Sequence, residues 1–177
     1  VPQLYDWLDR CGLRFGRWHE QAPYLSQCGA IGRTTHAARL VALPPRTQHA
    51  AMELLRGTMD RHDFIAYRDD REREAQPIAF EGEAWRSFVP VRLPWTLTIK
   101  DRVPRGVAAV LISPSHIYPD LALFIDAAQE RVLTTINGER SADEILEKTA
   151  MSDEDGRELF KRLWEHDLVV FDAKRPP

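Results

Sequence analysis

The sequence is poor in the features that would place it in a specialised class. Two cysteines in 177 residues are too few for a disulfide scaffold. Cys11 and Cys28 suit a reduced, cytoplasmic protein, although a single bridge between them stays open. Lys and Arg number 24 against 27 Asp and Glu, for a net charge of −3. That balance gives no electrostatic case for nucleic acid or for an anionic membrane. No run approaches the roughly 20 apolar residues that span a bilayer, and neither an internal repeat nor a low-complexity tract is present. Phosphate cradles of the G-x-G-x-x-G or G-x-x-x-x-G-K-[ST] type are missing, since GAIG at Gly29 to Gly32 is too short and in the wrong context. There is no G-x-S-x-G elbow, and His19-Glu20 lacks the second histidine of H-E-x-x-H.

What is present implies a packed core, because 44% of the residues are hydrophobic. Leu4, Trp7, Leu8 and Cys11 repeat at helical spacing between Pro2 and Gly12, and a strand-like run, Leu13 to Trp18, follows. A helix feeding a strand is half of an α/β unit, so the expected context is the rear portion of a longer protein. Residues 19–32 read as a loop. Thr34 is placed to cap a helix running to Leu43, with Ala37, Ala38, Leu40 and Val41 inward. Pro45 is placed to open a second helix to Met59, with Ala51, Met52, Leu54 and Leu55 buried. His62 to Arg68 reads as a strand, and DDRERE at 69–74 as a solvated connector and domain boundary.

Beyond it, short β-like runs at 78–80, 88–93, 96–100, 107–113 and 121–125 are punctuated by prolines. Three capped helices then follow. Asp126 with Gln129, Ser141 with Glu144 and Ser152 with Asp155 mark their starts, and LVVF at 168–171 closes the chain as a strand. The fold class expected is α+β. A helical, α/β-derived front part (1–70) precedes a small β-sheet and a winged-helix-like three-helix tail (78–177).

The chemistry-bearing residues are dispersed. Zinc needs three or four converging N or S ligands, whereas the six histidines are scattered and the cysteines form no C-x-x-C pair. Cys28, in a Gly-flanked loop with His19 and His36 nearby in sequence, is a formal thiol–imidazole pair; the alternative is a core thiol. The segment R-W-H-E-Q-A-P-Y-L-S-Q-C-G gathers Arg17, His19, Gln21, Tyr24 and Gln27 around two aromatics, and loops beyond strand ends often build ligand sites. Those five are the candidate substrate-binding residues; the other reading is that they satisfy the loop's own backbone. No catalytic, cofactor-binding or metal-binding residue is assigned. The tail does not suit DNA, because its last helix starts with Asp153-Glu154-Asp155 where a reading helix would need Lys and Arg.

Residues 12–70, GLRFGRWHEQAPYLSQCGAIGRTTHAARL…ELLRGTMDRHDFIAYRDD, resemble the later part of bacterial S-adenosylmethionine-dependent class I methyltransferases, with R-W-x-x-Q-A-P-Y-L-x-Q-C-G the most specific piece. The resemblance implies that the opening helix and strand are the last α/β elements of a catalytic domain. Residues 33–59 would then be a helical insertion and 62–68 a final strand. It puts the S-adenosylmethionine site in the parent protein, so this stretch holds no cofactor and does not methylate alone. Its partners would be the upstream catalytic domain of the same chain and a protein or peptide substrate, with neither nucleic acid nor membrane. An exposed sheet edge would favour a homodimer. The tail is also similar to winged-helix modules that hold peptides by β-augmentation. That makes a peptide-binding module without enzymatic activity the alternative, with a transcriptional regulator third.

Overall fold

The computed structural model describes residues 1–70 and 78–173. The chain is α+β, with six α-helices and three small antiparallel sheets among these residues. It divides into two compact units, Val1–Glu74 with Ser115–Leu121 and Ala75–Pro114 with Ala122–Pro177. The return of 115–121 to the first unit differs from a boundary drawn at the charged connector alone, most of which lies outside the described residues. Asp120 explains the return: its carboxylate accepts from Ala30 N–H at 2.8 Å and from Arg56 at 3.1 Å.

In the first unit, α1 (Pro2–Arg10) leads into β1 (Leu13–Trp18), which pairs antiparallel with β2 (Phe64–Arg68). The register slips between Phe15 and Arg17. Gly16 occupies the slip, where a Cβ would lie 2.9 Å from the Ile65 carbonyl, so a side chain does not fit. Tyr5 and Leu8 of α1 bury against Trp18 and Tyr24, with Phe15 and Phe64 packed beside them.

Two helices fill the span between the strands, α2 (Ala37–Val41) and α3 (Pro45–Arg56). Both differ from the sequence expectation. Thr34 does not cap α2; its hydroxyl donates to Ile31 O instead, and Ala38 and Val41 are exposed. In α3, Leu54 and Leu55 are exposed and the buried face is Gln48, His49 and Met52. The spacing is helical as expected, but the inward stripe is rotated. It carries polar groups that find partners, since Gln48 Nε2 donates to Leu40 O at 3.1 Å. Cys28 is buried and Cys11 exposed, and neither is in a disulfide.

In the second unit, β3 (Val89–Arg92) pairs with β7 (Val169–Asp172), while β4 (Leu97–Ile99), β5 (Ala109–Ile112) and β6 (Leu123–Ile125) form a three-stranded sheet. Residues 78–80 do not pair as a strand. Helices α4 (Ala127–Thr135), α5 (Ala142–Thr149) and α6 (Asp153–Glu165) start at the expected caps. Asp126 and Ser141 make full capping boxes with Gln129 and Glu144, and the Ser152 hydroxyl accepts from Asp155 N–H. Alternation along β5 and β6 turns Ala109, Leu111, Leu123 and Ile125 into a core shared with Ile145, Leu146, Leu159, Phe160 and Leu163.

That core leaves α5 and α6 in close contact at Gly156, where a Cβ would approach the Leu146 side chain to 2.4–3.0 Å. Leu146 is itself only 2% exposed, so it has little room to withdraw. Gly156→Val will therefore lower stability by about 1–3 kcal/mol through overpacking. Chemical denaturation will read the loss, and Leu146→Ala in the same chain will recover part of it if steric conflict is the cause.

Candidate functional site

A cleft of about 240 Å³ opens in the first unit, and Pro23, Tyr24, Met59, Asp63 and Tyr118 are among its walls. Tyr24 reaches it from a 3-10 turn (Ala22–Tyr24) that β1 projects past its end. The His19 N–H donates to Asp63 O at 2.9 Å, which ties the departing loop to the approach of β2. The Tyr24 ring stacks on Trp18 with centroids 3.8 Å apart and planes within 8°. Trp18 is in turn surrounded by Tyr5, Phe15, His49 and Phe64. The aromatic wall is therefore built on the sheet, and the loop is clamped to it.

Behind that wall lies a polar chain. Tyr24 Oη is 2.6 Å from His62 Nδ1, and His62 Nε2 is 3.1 Å from Glu53 Oε1. Burial raises the Tyr24 hydroxyl above its ordinary value, so it stays protonated at neutral pH. Burial pushes the Glu53 carboxyl up, while the neighbouring His62 pulls it down. A carboxylate that orients an imidazole, with the imidazole against a hydroxyl, is the order of a proton relay. With the Tyr24 hydroxyl donating to His62, its oxygen is left to accept from a donor in the cleft. Glu20, Asp60 and Asp63 line the same cleft against a single cation, Arg61, so the site favours a positively charged donor such as an amine.

A second phenol–imidazole pair, Tyr5 Oη to His49 Nδ1 at 2.6 Å, sits deeper. Burial lowers His49 to about 4, so the ring is neutral at pH 7, and burial raises Tyr5. The Arg56 side chain closes the floor near the cleft. It donates to Pro23 O at 2.9 Å and lies 4.4 Å over the Tyr118 ring.

The five residues expected to bind substrate do not converge. Of them, Tyr24 alone lines the cleft. Gln21 is buried, with its carbonyl accepting from Tyr24 N–H at 2.9 Å. Arg17 is half-buried in β1, opposite Ile65. His19 and Gln27 are exposed. His62 and Glu53 were not among the expected residues. One sequence signal points to Glu53: no Asp or Glu occurs between Glu20 and Glu53. Cys28 sits with Ala22 and Leu121 in a small apolar core, while His19 and His36 are exposed. Among the described residues no group of three or more His, Cys, Asp and Glu is placed to hold a metal, and no helix is long and apolar enough to cross a membrane.

The second unit carries a different kind of surface. Leu97 and Ile99 pair with Ile112 and Val110, and Val110 with Phe124, so these five share the sheet face opposite the core. Leu97, Ile99 and Phe124 are 52%, 42% and 41% exposed. An all-apolar outward face is uncommon on a solvated antiparallel sheet, which normally alternates apolar-in with polar-out. No family model matches the chain.

Proposed function

We propose that this chain is the accessory, substrate-positioning region of an S-adenosylmethionine-dependent methyltransferase and is not catalytic alone. The observation that carries the reading is the cleft wall, where Tyr24 is backed by His62 and Glu53 and faces an acidic lining. Such a site holds and orients an acceptor amine. The order helix, strand, helical insertion, antiparallel strand also agrees with the resemblance of residues 12–70 to the end of a methyltransferase domain. Calorimetric titration of the chain with S-adenosylmethionine will give no binding heat, whereas the methyltransferase domain encoded with it will bind. Micromolar binding by the chain alone would overturn the reading.

The apolar sheet face favours a second reading for the second unit. A winged-helix-like module of three capped helices beneath an exposed strand suits the capture of a peptide by β-augmentation along β4. Fluorescence anisotropy with labelled substrate peptides tests it: saturable binding abolished by Ile99→Asp supports it, and equal binding by the variant removes it.

A further inference from the structure

A second pocket of the first unit has chemistry opposite to that of the acidic cleft. It is about 490 Å³, and Ile31, Leu40, Leu43 and Leu55 form its apolar walls, with Arg39 and His36 at its rim. The residues come from a 3-10 turn (Ile31–Arg33), α2 with its flanking turns, and α3. Leu55 is 56% exposed, which is unexpected for a residue on a helix whose other side is packed. Arg39 is exposed and meets no carboxylate among the described residues. Its neighbour Arg46 is by contrast held by Asp9 at 2.6 Å. The stretch 21–52 contains no Asp or Glu at all, and no acid lines this pocket.

We propose that this pocket binds an apolar organic carboxylate, with its chain against the leucines and its anion on Arg39. Three observations favour that occupant. The size falls in the range of small-molecule sites, and the lining is mostly apolar with few polar groups, as in ligand pockets. An unpaired guanidinium at the mouth of such a pocket supplies the complementary charge without having to break an ion pair. A bilayer surface suits a convex apolar face better than a concave one. The acceptor site on the opposite charge logic is separate, so this inference goes beyond the proposed function and does not depend on it.

The test uses the full chain, isotope-labelled at leucine and isoleucine methyls and titrated with decanoate below its micelle concentration. Saturable shifts confined to Leu40, Leu43, Leu55 and Ile31 are expected. Arg39→Glu will weaken decanoate at least tenfold, and decyltrimethylammonium, the same chain with the charge reversed, will bind at least tenfold more weakly than decanoate. Leu55→Asp, at an exposed position, will abolish the shifts while the circular dichroism stays unchanged. Decanoate that binds Arg39→Glu as well as the parent would overturn the proposal. So would shifts confined to Leu97, Ile99 and Ile112, or an absence of saturable shifts, whether or not the chain sediments with phosphatidylglycerol vesicles or binds an acidic peptide.

Discussion

Replacing Trp18 with alanine will destabilise the first unit by about 3–5 kcal/mol, the cost of deleting a large buried aromatic. Trp18 is 2% exposed and is in contact with both tiers of the site. It stacks on Tyr24 and meets Tyr5, Phe15, His49, His62 and Phe64. Domains are stable by only about 5–15 kcal/mol in all, so the loss is a large share. Amide hydrogen exchange is the appropriate measurement, because it resolves elements. Protection in β1 and β2 will fall by more than a hundredfold, while α6, with its own core, will be unaffected. The indole Nε1 is buried without an acceptor among the described residues. Trp18→Phe removes that orphaned donor together with some volume, and will therefore lose less than half as much as the alanine variant. Equal losses would show that packing around Trp18 is not what holds the loop.

Acid will weaken the same unit through His49. The ring is 9% exposed, and burial lowers it from 6.5 to about 4. Its folded form thus resists protonation while the unfolded chain takes a proton near pH 6.5. The stabilising effect of a neutral ring is complete above about pH 6.5 and is lost as pH falls toward about 4. Over that window the unfolded state binds more protons, so stability rises with pH. The span corresponds to about 3 kcal/mol at full effect. His49→Gln keeps a polar side chain beside Tyr5 and does not titrate. Urea midpoints of the parent protein will fall steeply between pH 6.5 and 4, and those of His49→Gln will fall much less. Parallel profiles would place the acid sensitivity elsewhere.

Where local rules and tertiary packing agree, the fold was legible in the chain. The helices α4, α5 and α6 each carry a capping residue and a partner three positions on, and the apolar spacing points the same way. The strand-like runs at 13–18, 62–68 and 107–113 likewise contain β1, β2 and β5. The span 33–59 was less legible. Leu54 and Leu55 are the obvious apolar pair on α3, yet the buried face uses Gln48 and His49. Those polar groups are acceptable inside only because Leu40 O and the Tyr5 hydroxyl await them, and no local pattern announces such partners. The placement of 115–121 depends on Asp120 meeting Ala30 and Arg56, contacts across 90 and 64 positions of chain.

The site shows the same division. The loop after β1 was identifiable from its density of aromatic and polar residues, and Tyr24 does line the cleft. Its hydrogen-bonding partners were not identifiable, because Glu53 comes from α3 and His62 from the approach to β2, both distant in sequence from the loop. Gln21 turned inward and Gln27 outward for reasons of loop path that composition does not encode.

The proposed function has the first unit hold the acceptor for an upstream methyltransferase domain. Steady-state methylation by that domain, joined to this chain in its natural order, tests it most directly when the parent is compared with Tyr24→Phe. The account predicts a KM for the acceptor raised about tenfold, which is about 1.4 kcal/mol, with the KM for S-adenosylmethionine unchanged. An unchanged acceptor KM, or a change confined to S-adenosylmethionine, would contradict it.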